Sequence, residues 1–354
     1  MTTPTARPNN DYLAKKNPHP RDQHIHFEEG PHKYTIQGIP GITEETEFTS
    51  VTTWVHQHFE HFDAKKVIAA MMRNTKKWND PIANAKYYGK TAEEIEEMWS
   101  KAGQEASTKG TEMHYNIECF YNTPPRDTDP APNDIPHHQV DAVDSDCKLD
   151  ITAETAHVST PPSLGGGTPG GTPGGPPSGR SLALPYCPPS LGGGTPLEFQ
   201  YFLNFNNEYV ANDTTKTLRP YRTEWTVFHE EARIAGSIDM VYEVIEEPGV
   251  LTIYDWKRCR EITKTNRANK YATHPAIEHL PDTNFWHYAL QLNIYKYILQ
   301  TKYDKTIGDL YLIVLHPEAK NYQRVKLPDL QTEVSELFDE RGGSAPQRRS
   351  AMSE

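Results

Sequence analysis

Residues 233–257 read RIAGSIDMVYEVIEEPGVLTIYDWK, and the architecture is worked out from them. Their β-branched and aromatic residues, interrupted at Glu246, Glu247, Pro248 and Gly249, predict two strands joined by a turn. In the second strand Asp255 and Lys257 are two residues apart and share a face, while Trp256 points to the other face and offers this one only its carbonyl. An isolated D-x-K is commonly a surface ion pair. The neighbouring strand changes that reading. A connecting loop with an odd number of residues, such as 246–250, sets Asp239 opposite Lys257 and Val241 opposite Asp255, so two carboxylates and one lysine share a face. Carboxylates so close repel each other unless a cation lies between them. Two aspartates and a carbonyl suit Mg²⁺ or Mn²⁺. A lysine beside such an ion would position and deprotonate an attacking water, or stabilise a phosphorane-like transition state. Gly236, in a strand otherwise made of Ile, Met, Val and Tyr, marks either a bulge or a close approach to the backbone, for which a sugar-phosphate chain is a candidate.

Outward from this hairpin, YRTEWTVFHE (221–230) predicts a third strand, FWHYALQLNIYKYIL (285–299) an amphipathic helix, and DLYLIVLH (309–316) a strand buried on both faces. Towards the N-terminus, HKYTIQG (32–38) reads as a short strand and turn, and TSVTTWVHQHFEHFDAKKVIAAMM (49–72) as one helix. Thr91 and Glu94 form a capping box opening EEIEEMWSKAGQEAS, a second helix covers 105–121, and PLEFQYFLNFNNEY (196–209) suggests another. The result is an α/β core in the order helix, three strands, helix, strand.

The chain has 354 residues, and 36 Lys and Arg against 48 Asp and Glu leave a net charge of −12, which by itself disfavours a nucleic-acid partner. The charge is unevenly spread, however. Between Asn122 and His157 there are eight acids and two bases, and 161–196 holds 21 Gly or Pro in 36 residues with PPSLGGGTP written twice. We therefore expect a disordered insertion over 122–196, between an N-terminal helical part with the first core helix at 24–121 and a core at 197–340, with flexible ends at 1–23 and 341–354. No apolar run reaches membrane-spanning length, the first residues carry no apolar signal core, and the four cysteines are scattered. A soluble intracellular protein is expected.

Three further groups carry chemistry. His114 and Glu118 lie four apart on one helix face, as do Gln291 and Tyr295. Residues 255–270 hold six bases, Lys257, Arg258, Arg260, Lys264, Arg267 and Lys270, against two acids, a pattern that fits either a solvated helix face or phosphate contact. Taken in order, G-T-x-x-H-x-x-I-E (Gly110 to Glu118), G-S-I-D (Gly236 to Asp239), D-W-K (Asp255 to Lys257) and Q-x-x-x-Y (Gln291 to Tyr295) resemble the RecB-like exonuclease branch of the PD-(D/E)XK nuclease superfamily. The S-V-T-T-W at Ser50 to Trp54 is similar to a motif of the mitochondrial genome maintenance exonuclease group, and Y-Y-G-K-T-A-E-E-I (87–95) to nucleases of large DNA viruses and phages.

The resemblance implies a restriction-endonuclease-like core and a metal-dependent DNA exonuclease acting in replication, recombination or repair. An endonuclease, an RNase, or a non-catalytic DNA-binding protein that keeps the fold are the alternatives. By position it places the metal-binding histidine on His114, the metal-binding acids on Asp239 and Asp255, the third metal contact on the Trp256 carbonyl and the catalytic lysine on Lys257. Gln291 and Tyr295 would brace the site and touch DNA, and Glu118 and Glu224 would be supporting or structural. The cysteine cluster of the iron-sulfur relatives is missing, so no such cluster is expected. The sequence holds no G-x-x-x-x-G-K-[ST], so any helicase or recombination partner would be a separate chain.

Overall fold

The computed structural model describes residues 10–124, 195–266 and 268–342. Residues 1–9, Arg267, nearly all of the expected 122–196 insertion, and the tail beyond 342 lie outside them. Residues 10–23, expected to be flexible, instead pack on the body. Helix α1 (Tyr12–Lys16) buries Leu13, whose N–H donates to Asn122 Oδ1 at 3.0 Å. A 3₁₀ turn (Pro20–His24) follows, in which Asp22 accepts from Arg222 and Trp225.

Strands β1 (Ile25–Glu28) and β2 (Lys33–Ile36) pair as a small antiparallel sheet. The two-residue β3 (Thr49–Ser50) leads into α2 (Val51–Gln57), which Ser50 caps. The single helix expected over 49–72 is broken after Gln57. Thr273 N–H takes the His58 carbonyl at 2.8 Å, and Asp63 caps a new helix, α3 (Ala64–Arg73), which runs into α4 (Thr75–Trp78). By contrast, the two helices expected over 92–121 are one, α5 (Ala92–Asn122), opened by the Thr91–Glu94 capping box and uninterrupted by Gly103 or Gly110. After α6 (Leu197–Asn206) and a π turn (Asn207–Ala211) come β4 (Leu218–His229), β5 (Ile234–Val244) and β6 (Val250–Lys257), an antiparallel meander as expected. Helix α7 (Asn284–Lys302) crosses back to β7 (Thr306–Val314), parallel to β6; β8 (Gln323–Lys326) and α8 (Gln331–Arg341) end the fold.

Alternation along the strands divides the core in two. Met240, Tyr242, Tyr254 and Trp256 meet Phe199, Phe202 and Phe205 of α6 and Met113, Ile117 and Tyr121 of α5. Val241, Leu251 and Ile253 belong to a separate cluster with Leu290, Ile294 and Ile298 of α7. The sheet is thus covered on both faces, the condition that lets β6 be buried along most of its length and β7 over its last three residues. Among the described residues no helix is long and apolar enough to cross a membrane.

Candidate active site

The site forms where β5 changes partners. One edge of β5 pairs with β4 along its length; the other pairs with β3 at Ile234 and Ala235 and with β6 from Met240 to Glu243. Between these contacts β5 and β6 part, and the Trp256 N–H is satisfied by Asp239 Oδ2 at 3.0 Å. The hairpin sets Met240 against Tyr254 and Val241 against Ile253. Continued one step, this register brings Asp239 level with Asp255, two residues from the expected pairing with Lys257. The turn centres on Glu247 instead of Pro248, with Gly249 in the left-handed region at φ +86°, and moving a hairpin's centre by one shifts its register by two. Because two is also the side-chain period, Asp239, Asp255 and Lys257 still share a face.

Two more groups converge on this fork. Glu224 lies between the pairs Thr223↔Met240 and Trp225↔Ile238, level with Asp239, at φ +43°. For a non-glycine strand residue this conformation is strained, and the flanking register is undisturbed, so the distortion is local to the residue that faces the aspartate. From α5, His114 Nε2 lies 2.8 Å from the Trp256 carbonyl oxygen and Nδ1 lies 3.4 Å from Asp239 Oδ2. A carbonyl only accepts, so Nε2 carries the proton, and in the neutral ring Nδ1 offers a lone pair toward the carboxylates. His114, Glu224 and Asp239 each present a ligand atom, all within 4.8 Å of one another.

The residues therefore group differently from the expectation. The Trp256 carbonyl is engaged by the histidine. Asp255, nearly fully buried, stands outside the convergent trio and pairs with Lys257, whose Nζ lies 2.6 Å from Asp255 Oδ2 and 4.7 Å from the Tyr288 ring centre. That short ion pair places the buried Oδ2 against the lysine amine. Burial, then the charge of Asp239, pushes Asp255 up to about 7 despite Lys257. Burial, then Asp239 and Glu118, pushes Glu224 up to about 8, although Ser237 Oγ donates to it at 2.9 Å. Burial alone would lower Lys257, but the charges of Asp255 and Asp239 outweigh it and hold the amine above its ordinary range. The carboxylates of Glu224, Asp239 and Asp255, with a histidine lone pair beside them, form a donor set that suits a small divalent cation.

Gly236 explains the α7 motif. A Cβ there would stand 2.8 Å from both Cε1 and Oη of Tyr295, so it is the tyrosine, and not a sugar-phosphate chain, that approaches β5 closely. Gln291 hydrogen-bonds Tyr295. Glu118 sits one turn past His114, its charge felt at Glu224. Among the described residues the basic window forms no helix: 258–266 and 268–274 are irregular up to the 3₁₀ turn Pro275–Ile277. Arg258 is tied to Glu198 at 2.7 Å, Arg260 pairs with Glu318, Lys270 with Glu60 at 2.6 Å, and Lys264 lies over Phe285 at 4.7 Å; Arg267 lies outside the described residues.

An acid on each of three adjoining strands, with the D-x-K lysine beside them, agrees with the family comparison. Residues 193–349 match the model of the PD-(D/E)XK nuclease superfamily. The superfamily match indicates metal-dependent nuclease chemistry, and the mixed α/β sheet is consistent with its restriction-endonuclease-like fold. It leaves out the N-terminal part, including His114. No curated protein matches the chain. Among solved structures, one described as the crystal structure of SSO0001 is similar at 17% identity with a TM-score of 0.16, over 35% of this chain and 45% of that one; this chain thus covers less than half of that protein.

The sequence assigns no role to Ser237 or Tyr288 and gives Glu224 only a supporting or structural place. Ser237 was inside the quoted G-S-I-D, but its aim at Glu224 depends on the β4–β5 register. Tyr288 lies one turn before Gln291 on α7, where helical spacing does mark it.

Proposed function

We propose that this chain is a divalent-metal-dependent deoxyribonuclease of the RecB-like kind, hydrolysing phosphodiester bonds at DNA ends or in single strands. The observation that carries the reading is the convergence of His114 Nδ1, Glu224 and Asp239 within 4.8 Å, beside the Asp255–Lys257 pair. His114, Glu224, Asp239 and Asp255 would hold Mg²⁺ or Mn²⁺, which when bound supplies Lewis acidity and a nucleophilic water at neutral pH. The Trp256 carbonyl fixes the histidine tautomer that leaves Nδ1 free to ligate. Lys257, whose charge is favoured by its two aspartates, would act through that charge on the phosphate in the transition state. Gln291 and Tyr295 position β5 from α7. The RecB-like sequence pattern supports the exonuclease mode and a place in DNA replication, recombination or repair.

The test is cleavage of end-labelled single-stranded, blunt duplex and covalently closed circular DNA with Mg²⁺, Mn²⁺ or EDTA, alongside Asp255→Asn. Metal-dependent loss of linear substrates with circles spared, abolished in the variant, is the expected result. Cutting of circles would make the protein an endonuclease, and DNA binding without cleavage would sink the nuclease reading.

A further inference from the structure

The cations expected to meet phosphate in 255–270 are largely taken up in ion pairs, yet the molecule holds a second basic segment. Residues 64–90 carry seven bases, Lys65, Lys66, Arg73, Lys76, Lys77, Lys86 and Lys90, against the single acid Asp80, in a chain whose net charge is −12. Lys66 reaches Asp63 at 3.5 Å; among the described residues no carboxylate pairs with the other six. The same segment exposes apolar side chains. Of six large hydrophobics that are exposed among the described residues, Phe62, Val67, Ile82 and Tyr88 lie between 62 and 88, with Ile82 88% exposed. Unpaired positive charge interleaved with exposed rings and aliphatic groups is neither an ordinary solvated face nor an ordinary core.

Val67, Lys77 and Lys86 of this segment line a cavity of about 540 Å³ between α3, α4 and the 83–87 loop, together with Met71, Trp78 and Tyr87, among others. Its size is that of a small-ligand pocket, far too narrow for a duplex but sufficient for an unstacked base with its sugar. Trp78 and Tyr87, both half-buried, line it, and Lys86 Nζ lies 5.1 Å from the Tyr87 ring centre. The groove is anchored to the helix that carries His114: Trp99 Nε1 of α5 donates to Tyr87 Oη at 2.9 Å. At ~1.5 Å per residue, Trp99 and His114 are separated along α5 by roughly 22 Å, about the length of seven stacked nucleotides at ~3.4 Å each.

We propose that this groove binds single-stranded DNA, with Lys76, Lys77 and Lys86 on its phosphates and bases against Trp78 and Tyr87, so that the strand runs along α5 to the candidate active site. A cationic track with stacking surfaces is the general solution for a single strand, because every base has a π-face and every linkage a charge. The assignment rests on the chain being a DNA-cutting enzyme and names its substrate form.

The test separates the two claims by reading binding in EDTA, where nothing is cut. Fluorescence anisotropy of a labelled oligothymidylate is measured on the full chain and on a Lys76→Glu, Lys77→Glu, Lys86→Glu variant, with Lys77→Gln as a milder second variant and circular dichroism as the check of folding. The wild type should prefer the single strand to a duplex of equal length. The triple variant should bind it at least about tenfold more weakly, with the slope of log affinity against log salt lower by about 0.7 for each phosphate no longer neutralised. Trp78→Ala should weaken binding about fivefold or more. Unchanged affinity in the folded triple variant, or in Lys77→Gln with an unchanged salt slope, overturns the proposal, as does a preference for duplex or for RNA of matching sequence. If these variants lose binding while the wild type cuts nothing with Mg²⁺ or Mn²⁺, the groove stands and the nuclease reading falls; unchanged binding by a chain that does cut gives the converse.

Discussion

Burial makes Asp255 and Glu224 costly to ionise, and that cost has a direction in pH. Their folded values of about 7 and about 8 lie above the ~4 of a carboxyl in an unfolded chain. Between those limits the folded state holds protons that the unfolded state has released, so stability falls as pH rises from about 4 to about 8 and levels off above. A divalent cation taking the place of those protons restores the stability. In EDTA the thermal midpoint should fall between about pH 5 and about pH 8.5, and Mg²⁺ should raise it more at the higher pH. A flat pH profile would show that the carboxylates are not coupled as the geometry implies. Lys257 permits a sharper test: Lys257→Ala should keep DNA affinity within a few-fold and lower cleavage by at least about 100-fold, the scale of losing one preorganised stabiliser.

At the scale of elements, the site depends on α7 holding β5 through the contact of Gly236 with Tyr295. Gly236→Ala places a methyl where the Tyr295 ring already stands, and should cost about 1–3 kcal/mol in urea denaturation while impairing cleavage. An unchanged midpoint would mean that α7 can retreat freely. His114→Ala removes the contribution of α5 to the fork, and should raise the Mg²⁺ concentration for half-maximal cleavage about tenfold, the scale on which losses around a metal act. Elements as such were readable wherever periodicity and caps agreed, as in the meander, α7 and the capped start of α5. They were misread where a partner distant in sequence intervened: the break after α2 depends on Thr273 taking the His58 carbonyl, and the docking of α1 on Asn122 receiving the Leu13 amide.

For the whole molecule, α5 and α6 meet directly, Phe120 and Tyr121 packing edge-on against Phe202 at centroid distances of 5.2 and 5.5 Å. Those contacts are made by described residues alone. A chain with residues 125–194 replaced by a short Gly/Ser linker should fold with a similar thermal midpoint and cleave DNA as the full chain does; loss of folding would show that the segment contributes to the core. The charge map is also a whole-molecule property. Arg258, Arg260 and Lys270 belong to a basic run in sequence, but each finds a carboxylate from elsewhere in the chain, whereas the 64–90 bases mostly find none among the described residues.

The amino-acid sequence by itself determined the α/β order, the meander, and the shared face of Asp239, Asp255 and Lys257, because a strand's period of two survives any even shift in register. Only the tertiary structure decided which groups meet at the fork. That Asp239 lies level with Asp255, that strained Glu224 and His114 Nδ1 join it, that the Trp256 carbonyl faces the histidine, and that Gly236 makes room for Tyr295 all follow from where a turn centres and how helices from both faces dock. Those outcomes are set by long-range packing and hydrogen-bond completion, which no local pattern of residues encodes.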